Sequence, residues 1–348
     1  MITTIGPATW LAALAAALPV TPLGYVCPRA VSAPRIDGRL DEPAWREAPW
    51  TSDFVDIEGD ARPRPALRTR VKMLWDDEYF YVGAEMEEPH VWATLLQHDS
   101  VIFHDNDFEV FIDPNGDSHE YYEFEINALG TGWDLFLPRP YKDGGQALNG
   151  WEIAGLKSAV HVDGTLNDPS DRDRGWTVEL AFPWAALKEE ARRPSPPADG
   201  DQWRVNFSRV EWQARVDGGR YSKVPGTRED NWVWSPQGVV DMHRPETWGY
   251  VQFSTARAGA ASFRPDPALP ARRWLHQVYY AQREFRRAQK RWAQSLEELG
   301  VAAPAADRLS RPTLEVTSSL FEAAVELRLP DGKMQRWHIR QDALIWAE

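Results

Sequence analysis

The chain is poor in cysteine, with Cys27 alone in 348 residues. One thiol can build neither an intrachain disulfide framework nor a thiolate zinc site, so redox chemistry does not fix the compartment. Long apolar runs are scarce as well. The most apolar stretch, WLAALAAALPV at Trp10 to Val20, is too short to cross a bilayer, and no later run is a candidate membrane helix. Its length and small residues instead suit the core of a signal peptide, although no Lys or Arg precedes it. We therefore expect a leader over residues 1–24 and a periplasmic or extracellular destination. Positive charge is in deficit too, 39 Lys and Arg against 52 Asp and Glu, for a formal charge of −13. That balance argues against a nucleic-acid backbone or an anionic membrane as partner and favours a neutral polar ligand or a cation. G-x-S-x-G, P-loop, Rossmann and H-E-x-x-H signatures are all missing, as is any internal repeat.

What the chain has in excess is tryptophan, 18 residues. Indoles fill cores well, and they also offer flat faces for stacking. From about Tyr25 to Ser254 the pattern is period-two alternation. Val71, Met73 and Trp75 alternate with polar residues, WDDEY turns the chain, and Phe80, Val82, Ala84 and Met86 resume the alternation, which predicts a hairpin. Further strands are predicted around Phe108–Ile112, Tyr122–Ala128, Ser158–Val162, Trp176–Phe182, Trp203–Trp212 and Gly249–Phe253, with short helices at Glu42–Glu47 and Pro183–Arg192. Many short strands joined by Gly, Pro and Asp turns predict an all-β chain, an antiparallel β-sandwich. Beyond it, residues 255–270 read as an Ala/Pro/Arg linker. Residues 271–348 read as an amphipathic helix over Arg273–Leu299 followed by two or three strands around PDGK. The apolar stripe of that helix calls for a partner, either the sandwich or a second copy.

The stretch HDNDFEVFIDPNGDSHEYYEFEIN, residues 104–127, carries an unusual density of carboxylates on alternating segments. If the two strands pair as a hairpin, Glu109, Glu123, Glu125 and Asn127 share one face. Arg204, Asn206 and Ser208 of WRVNFSRVEW can project from the same surface. A mixture of acceptors and fixed donors suits sugar hydroxyls, whereas the plain alternative is a solvated ion-pair lattice. In the turn, Asp113, Asn115 and Asp117 form an all-oxygen set of the kind calcium prefers, although Asp residues in turns also cap backbone amides with no metal. Asp37/Asp41 and Asp105/Asp107 are weaker candidates of the same kind. Glu109 and Glu125 also admit an enzymatic reading, as acid and base of a glycoside hydrolase or lyase, with His98, His104 or His243 assisting.

VSAPRIDGRLDEPAW (31–45), VKMLWDDEYFYVGAEMEEP (71–89), NDFEVFIDP (106–114), YYEFEINA (121–128), GWTVELAFPW (175–184), WRVNFSRVEW (203–212) and PETWGYVQF (245–253), in this order, resemble the carbohydrate-binding module family 9-like domain over about Ile36 to Ser254. The resemblance implies a β-sandwich with jelly-roll-like topology. It also implies sugar binding and structural calcium, as in modules attached to bacterial xylanases. In the sugar-binding members two Trp rings sandwich a terminal sugar. The upstream ring corresponds to Phe103 and the downstream one to Met242, which has no ring; His243 adjoins it, and Trp232 and Trp234 stand nearby in sequence. The hydrogen-bonding Glu of the family corresponds to Glu109, but the Arg on the following strand corresponds to Glu125, a reversal of charge. The resulting expectation is non-catalytic binding of a mono-, oligo- or polysaccharide, with Phe103, Trp212 and Trp232 as stacking candidates. A carbohydrate-active enzyme and a protein-interaction scaffold are the alternatives.

Overall fold

Alternating apolar residues organise nearly every strand of this computed structural model, which describes residues 21–304 and 308–348; of the leader expected over residues 1–24, residues 1–20 lie outside them, while Leu23 packs on the core and Gly24 opens the first strand. The chain divides into two units: residues 21–116 with 120–264, and residues 265–348 with Asp117–His119. The first unit contains β1 (Gly24–Pro28), helix α1 (Pro43–Glu47), β2 (Val55–Asp56), β3 (Thr69–Trp75), β4 (Tyr79–Glu87), β5 (Asp107–Asp113), β6 (Tyr121–Asn127), β7 (Gly132–Leu137), β8 (Lys157–Asp163), β9 (Gly175–Pro183), helix α2 (Trp184–Leu187), β10 (Gln202–Glu211), β11 (Ala214–Asp217), β12 (Arg220–Lys223), β13 (Asp230–Val233) and β14 (Gly249–Ser254).

Strands β1-β14-β10-β5-β6-β7 run side by side in an eight-stranded sheet that β13 and β2 complete beside β10. The pair β1/β14 is parallel and its other pairs are antiparallel. Strands β3-β4-β9-β8 form a second, antiparallel sheet. Consecutive groups of strands alternate between the two sheets, which gives the jelly-roll-like connectivity of the sandwich. The hairpin expected at residues 71–86 is β3/β4, and α1 falls inside the predicted Glu42–Glu47 helix. The helix expected over Pro183–Arg192 is only the single turn of α2.

Val71, Met73 and Trp75 of β3, Val110 and Ile112 of β5, Phe124 and Ile126 of β6, and Trp203, Val205 and Phe207 of β10 all meet in one buried core between the sheets. Trp184, Trp203 and Phe253 pack edge to face within it, at ring-centroid distances of 5.4 to 5.6 Å. Trp232 and Trp234, expected to offer stacking faces to a ligand, belong to this core instead. Apolar rings of that size gain most by leaving water. The indole of Trp234 lies so close to the chain that a Cβ at Gly249 would come within 2.3 Å of it.

A buried ionic knot sits at one end of the core. Arg209 is fully buried, and its Nη2 lies 2.9 Å from Glu88 and 2.7 Å from Glu211. Its Nη1 donates to Thr69 and to the Glu87 carbonyl, and its guanidinium lies over the Trp232 ring. Burial still pushes the Glu211 carboxyl up to about 8, against the pull of Arg209.

In the second unit, helix α3 (Leu269–Gln289) lays Trp274, Leu275, Val278 and Tyr279 against a four-stranded antiparallel sheet. The sheet consists of β15 (Leu309–Val316), β16 (Phe321–Arg328), β17 (Met334–Arg340) and β18 (Ile345–Ala347). The apolar stripe of the helix is therefore covered by the tail's own sheet. The helix stops earlier than the periodicity over Arg273–Leu299 suggests. Lys290 adopts left-handed backbone at φ 60°, and the chain turns back to a short helix, α4 (Leu296–Leu299). The buried Gln282 amide clamps the return, donating to the Ala293 carbonyl at 3.0 Å and accepting from its N–H at 2.9 Å. Trp292, spaced as if on the helix, packs edge to face on Phe321 from beyond its end.

Candidate functional site

On β5 and β6 the residues opposite the core are charged. Strand alternation sends Phe108, Val110 and Ile112 inward and leaves Asp107, Glu109, Phe111 and Asp113 on the outer face of the large sheet. Across the hairpin, Glu109 stands directly opposite Glu125, and on the other side it is paired with Ser208 of β10. This outer face is not solvated: Asp107, Glu109, Glu123 and Glu125 are all buried. Ile102, Phe111, Tyr121, Trp133, Leu135, Leu137 and Trp248 form a second apolar cluster on this side of the sheet, with Phe103 and Met242 packed against it.

Burying four carboxylates together is electrostatically costly. Burial pushes Glu109 up to about 7, with the Ser208 hydroxyl pulling the other way. Burial is also the main reason that Asp107, Glu123 and Glu125 are raised, and the charge of Glu109 is the next largest cause for each. One oxygen each from Asp107, Glu109 and Glu125 lie within 4.8 Å of one another. Some oxygens have local donors: Val210 N–H donates to Asp107 Oδ1 at 3.2 Å, and Phe103 N–H to Glu125 Oε2 at 3.0 Å. Asp107 Oδ2 and Glu123 Oε2 are buried without a hydrogen-bond donor.

Aromatic side chains edge this cluster. Phe103 is half-buried, and its carbonyl accepts from the Trp212 indole N–H at 2.8 Å. Trp212 is also half-buried and carries the Lys223 ammonium 3.4 Å from its ring centroid. Burial lowers the pKa of Lys223, while the charges of Asp105, Glu229 and Asp107 oppose that shift. Tyr141 is 45% exposed, and burial followed by the charges of Glu123 and Glu125 pushes its hydroxyl up to about 12. Its ring meets His243 edge to face at 4.5 Å. His243 Nδ1 pairs with the Tyr121 hydroxyl at 2.8 Å, and burial, helped by Lys142, lowers its pKa to about 3. The imidazole is thus neutral across the physiological range.

Of the residues singled out from sequence, Phe103, Glu109, Glu123, Glu125, Trp212 and His243 fall on this face. Asn127, Arg204 and Asn206, also expected to bind ligand, share this face and have their polar atoms hydrogen-bonded within the protein. The Asn127 amide donates to the Leu95 carbonyl and Asp105 and accepts from the N–H groups of Leu129 and Thr131. Asn206 exchanges two hydrogen bonds with the Ser235 backbone. Arg204 donates to the Trp248 and Glu246 carbonyls and lies 3.7 Å from the Tyr250 ring centroid. Short polar side chains under a crowded sheet face satisfy the nearest backbone first. Tyr141 was not singled out. It lies in the loop after β7, where no periodicity marks it, and its exposure is the one local signal.

In the turn after β5, Asp113 Oδ1 accepts from Gly116 N–H at 2.7 Å, and Asp117 Oδ1 from His119 N–H at 2.9 Å. Those oxygens cap main-chain amides, as Asp does in turns generally. Asn115 is half-buried in the same turn. Asp105 is likewise committed, accepting from Thr94 and Leu95 N–H groups, whereas Asp107 joins the carboxylate cluster. A separate cluster forms around His98, whose Nε2 lies 3.3 to 3.4 Å from Asp99, Asp134 and Glu152. Burial opposes protonation of His98, but these three carboxylates outweigh it and raise its pKa. His104 is exposed.

The comparison with known families agrees with this architecture: residues 36–252 match the family described as carbohydrate family 9 binding domain-like. The chain belongs to that family. Among curated proteins it is similar to Exoglucanase XynX of Acetivibrio thermocellus, at 29% identity over 157 residues, 44% of this chain and 12% of that protein. It is also similar to Endo-1,4-beta-xylanase C of Paenibacillus barcinonensis, at 33% identity over 91 residues, 26% of this chain and 8% of that protein. The matched segments thus span about a tenth of the length of those relatives. Among solved structures, a family 9 carbohydrate-binding module from Caldicellulosiruptor kristjanssonii in complex with cellotriose aligns over 70% of this chain and all of its own, at 15% identity and a TM-score of 0.44.

Phe103, expected from the resemblance to correspond to the upstream ring of the sugar-binding members, packs against the second apolar cluster. Met242 at the downstream position packs into the apolar cluster. The carboxylates at Glu109 and Glu125 rise from adjacent strands on the same side of one sheet.

Proposed function

We propose that this protein is a non-catalytic carbohydrate-binding protein and that its ligand sits on the outer face of the large sheet. The observation that carries the reading is the meeting of Phe103 and Tyr141 at the same buried carboxylates in a member of this family: Phe103 N–H binds Glu125, and the Tyr141 hydroxyl is pushed up by burial and then by the charges of Glu123 and Glu125. Aromatic faces take the C–H side of a pyranose ring, while carboxylates accept its hydroxyl protons. Relatives named as an exoglucanase and a xylanase point to a β-1,4-linked glucan or xylan as the ligand class. A polysaccharide of that kind places the working location outside the cytoplasm, in keeping with the Trp10–Val20 segment.

Calorimetric titration with cellotriose and xylotriose tests the proposal. Saturable binding without product release, weakened at least tenfold by both Phe103→Ala and Tyr141→Ala, is the expected result. Binding that both variants leave unchanged would place the site elsewhere, and hydrolysis abolished by Glu109→Gln would make the protein an enzyme.

A further inference from the structure

We propose that Asp107, Glu109 and Glu125, supported by Glu123, form a binding site for one divalent hard cation of the calcium type. The inference rests on charge and geometry at this cluster and stands apart from the sugar reading. Among the described residues, no Lys, Arg or His forms an ion pair with any of the four carboxylates. Buried carboxylates are ordinarily paired, hydrogen-bonded or bound to metal. Here Asp107 Oδ2 and Glu123 Oε2 have no hydrogen-bond donor, and Asp107 is wholly buried. Lys223, which feels the charge of Asp107, lies on the Trp212 ring, where burial lowers its pKa.

Geometry favours a metal ion over an organic cation. Calcium binds oxygen at about 2.3–2.6 Å, so ligands on opposite sides of one ion stand roughly 5 Å apart. The oxygens of Asp107, Glu109 and Glu125 fall within that span, at no more than 4.8 Å from one another. The donors are all carboxylate oxygens. Such a set selects hard cations over zinc or copper, and calcium tolerates irregular ligand placement better than magnesium, which requires a near-octahedral shell. If the proposed glycan site is correct, sugar hydroxyls can fill the remaining coordination positions.

Protons compete with the ion for the same oxygens. The groups facing the cluster are Asp105 in the loop before β5, Tyr141 in the loop after β7, Lys223 on β12 and Ser208 on β10, together with the four carboxylates themselves. The experiment is calorimetric titration of the chelator-treated full chain with calcium chloride, and separately with magnesium chloride, at pH 8 and at pH 5.5. The same titrations are made on Glu109→Gln, on Glu125→Gln and on the control Asp331→Asn. The expected result is one calcium equivalent at pH 8 whose affinity falls at least tenfold at pH 5.5. Each cluster variant should lose that equivalent, and the control should keep it. Cluster variants that retain the wild-type calcium stoichiometry and affinity, with circular dichroism showing them folded, would overturn the proposal. So would a wild-type protein that binds no calcium at pH 8. Glycan titrations with and without calcium separate this outcome from the fate of the sugar reading: calcium uptake without glycan binding sinks only the latter.

Discussion

Removing one of the buried charges, by Glu109→Gln, is expected to make the fold more stable at neutral and alkaline pH in the absence of divalent ions. The Glu109 carboxyl is raised from an ordinary 4.5 to about 7 in the folded chain. Below pH 4.5 it is protonated in both folded and unfolded states, so wild type and variant differ little. Between 4.5 and 7 the unfolded chain ionises while the fold holds its proton, and wild-type stability falls by about 1.4 kcal/mol per pH unit. Above pH 7 the loss is complete, at roughly 3 kcal/mol. Gln does not titrate, so the variant should gain roughly that amount over wild type at pH 8 and almost nothing at pH 4. The gain is expected to be a lower bound, because the Glu109 charge also raises Asp107, Glu123 and Glu125. Urea unfolding in EDTA, followed by tryptophan fluorescence across pH 4 to 8, measures the difference. A variant that is less stable than wild type at pH 8, or that shifts stability equally at both ends, would refute the electrostatic account of this face.

Other perturbations separate the site from the framework. Arg209→Ala leaves Glu88 and Glu211 buried without their cation and should cost about 3–5 kcal/mol, read as a lowered urea midpoint. Trp234→Ala opens a cavity between the sheets and should cost about 3–5 kcal/mol, so any loss of glycan binding would follow unfolding, which circular dichroism detects. Gln282→Leu strands the Ala293 N–H and carbonyl beneath helix α3, at about 1–3 kcal/mol for each buried group, seen as a drop in melting temperature. Tyr141→Phe should keep most of any glycan affinity and Tyr141→Ala should lose it, because the ring edge on His243 rather than the hydroxyl sets the face; titration with cellotriose distinguishes the two.

The sandwich is legible in the pattern of residues alone. Period-two alternation in β3, β4, β5, β6, β9 and β10 states which side of each strand is buried, since successive side chains point to opposite faces. The ordered motifs from IDGRLDEPAW to PETWGYVQF supplied the family. The pairing of Glu109 with Glu125 was also legible, because one turn joins their strands and the register follows from it. What those residues meet depends on contacts made only in the folded chain. Alternation shows that Glu109 leaves the inter-sheet core, but not that other side chains then cover it. That cover depends on Phe103, Tyr141 and His243, brought in by loops that carry no periodic signal. The same limit hides the internal partners of Asn127, Arg204 and Asn206, which lie on the expected face while nearby carbonyls and amides engage their polar atoms. It also explains Trp232 and Trp234, because an indole in a short strand or a loop reads alike whether it faces a ligand or a core. Helix α3 ends at Gln289 because the chain folds back onto the Gln282 amide, a long-range contact that helical spacing alone cannot encode.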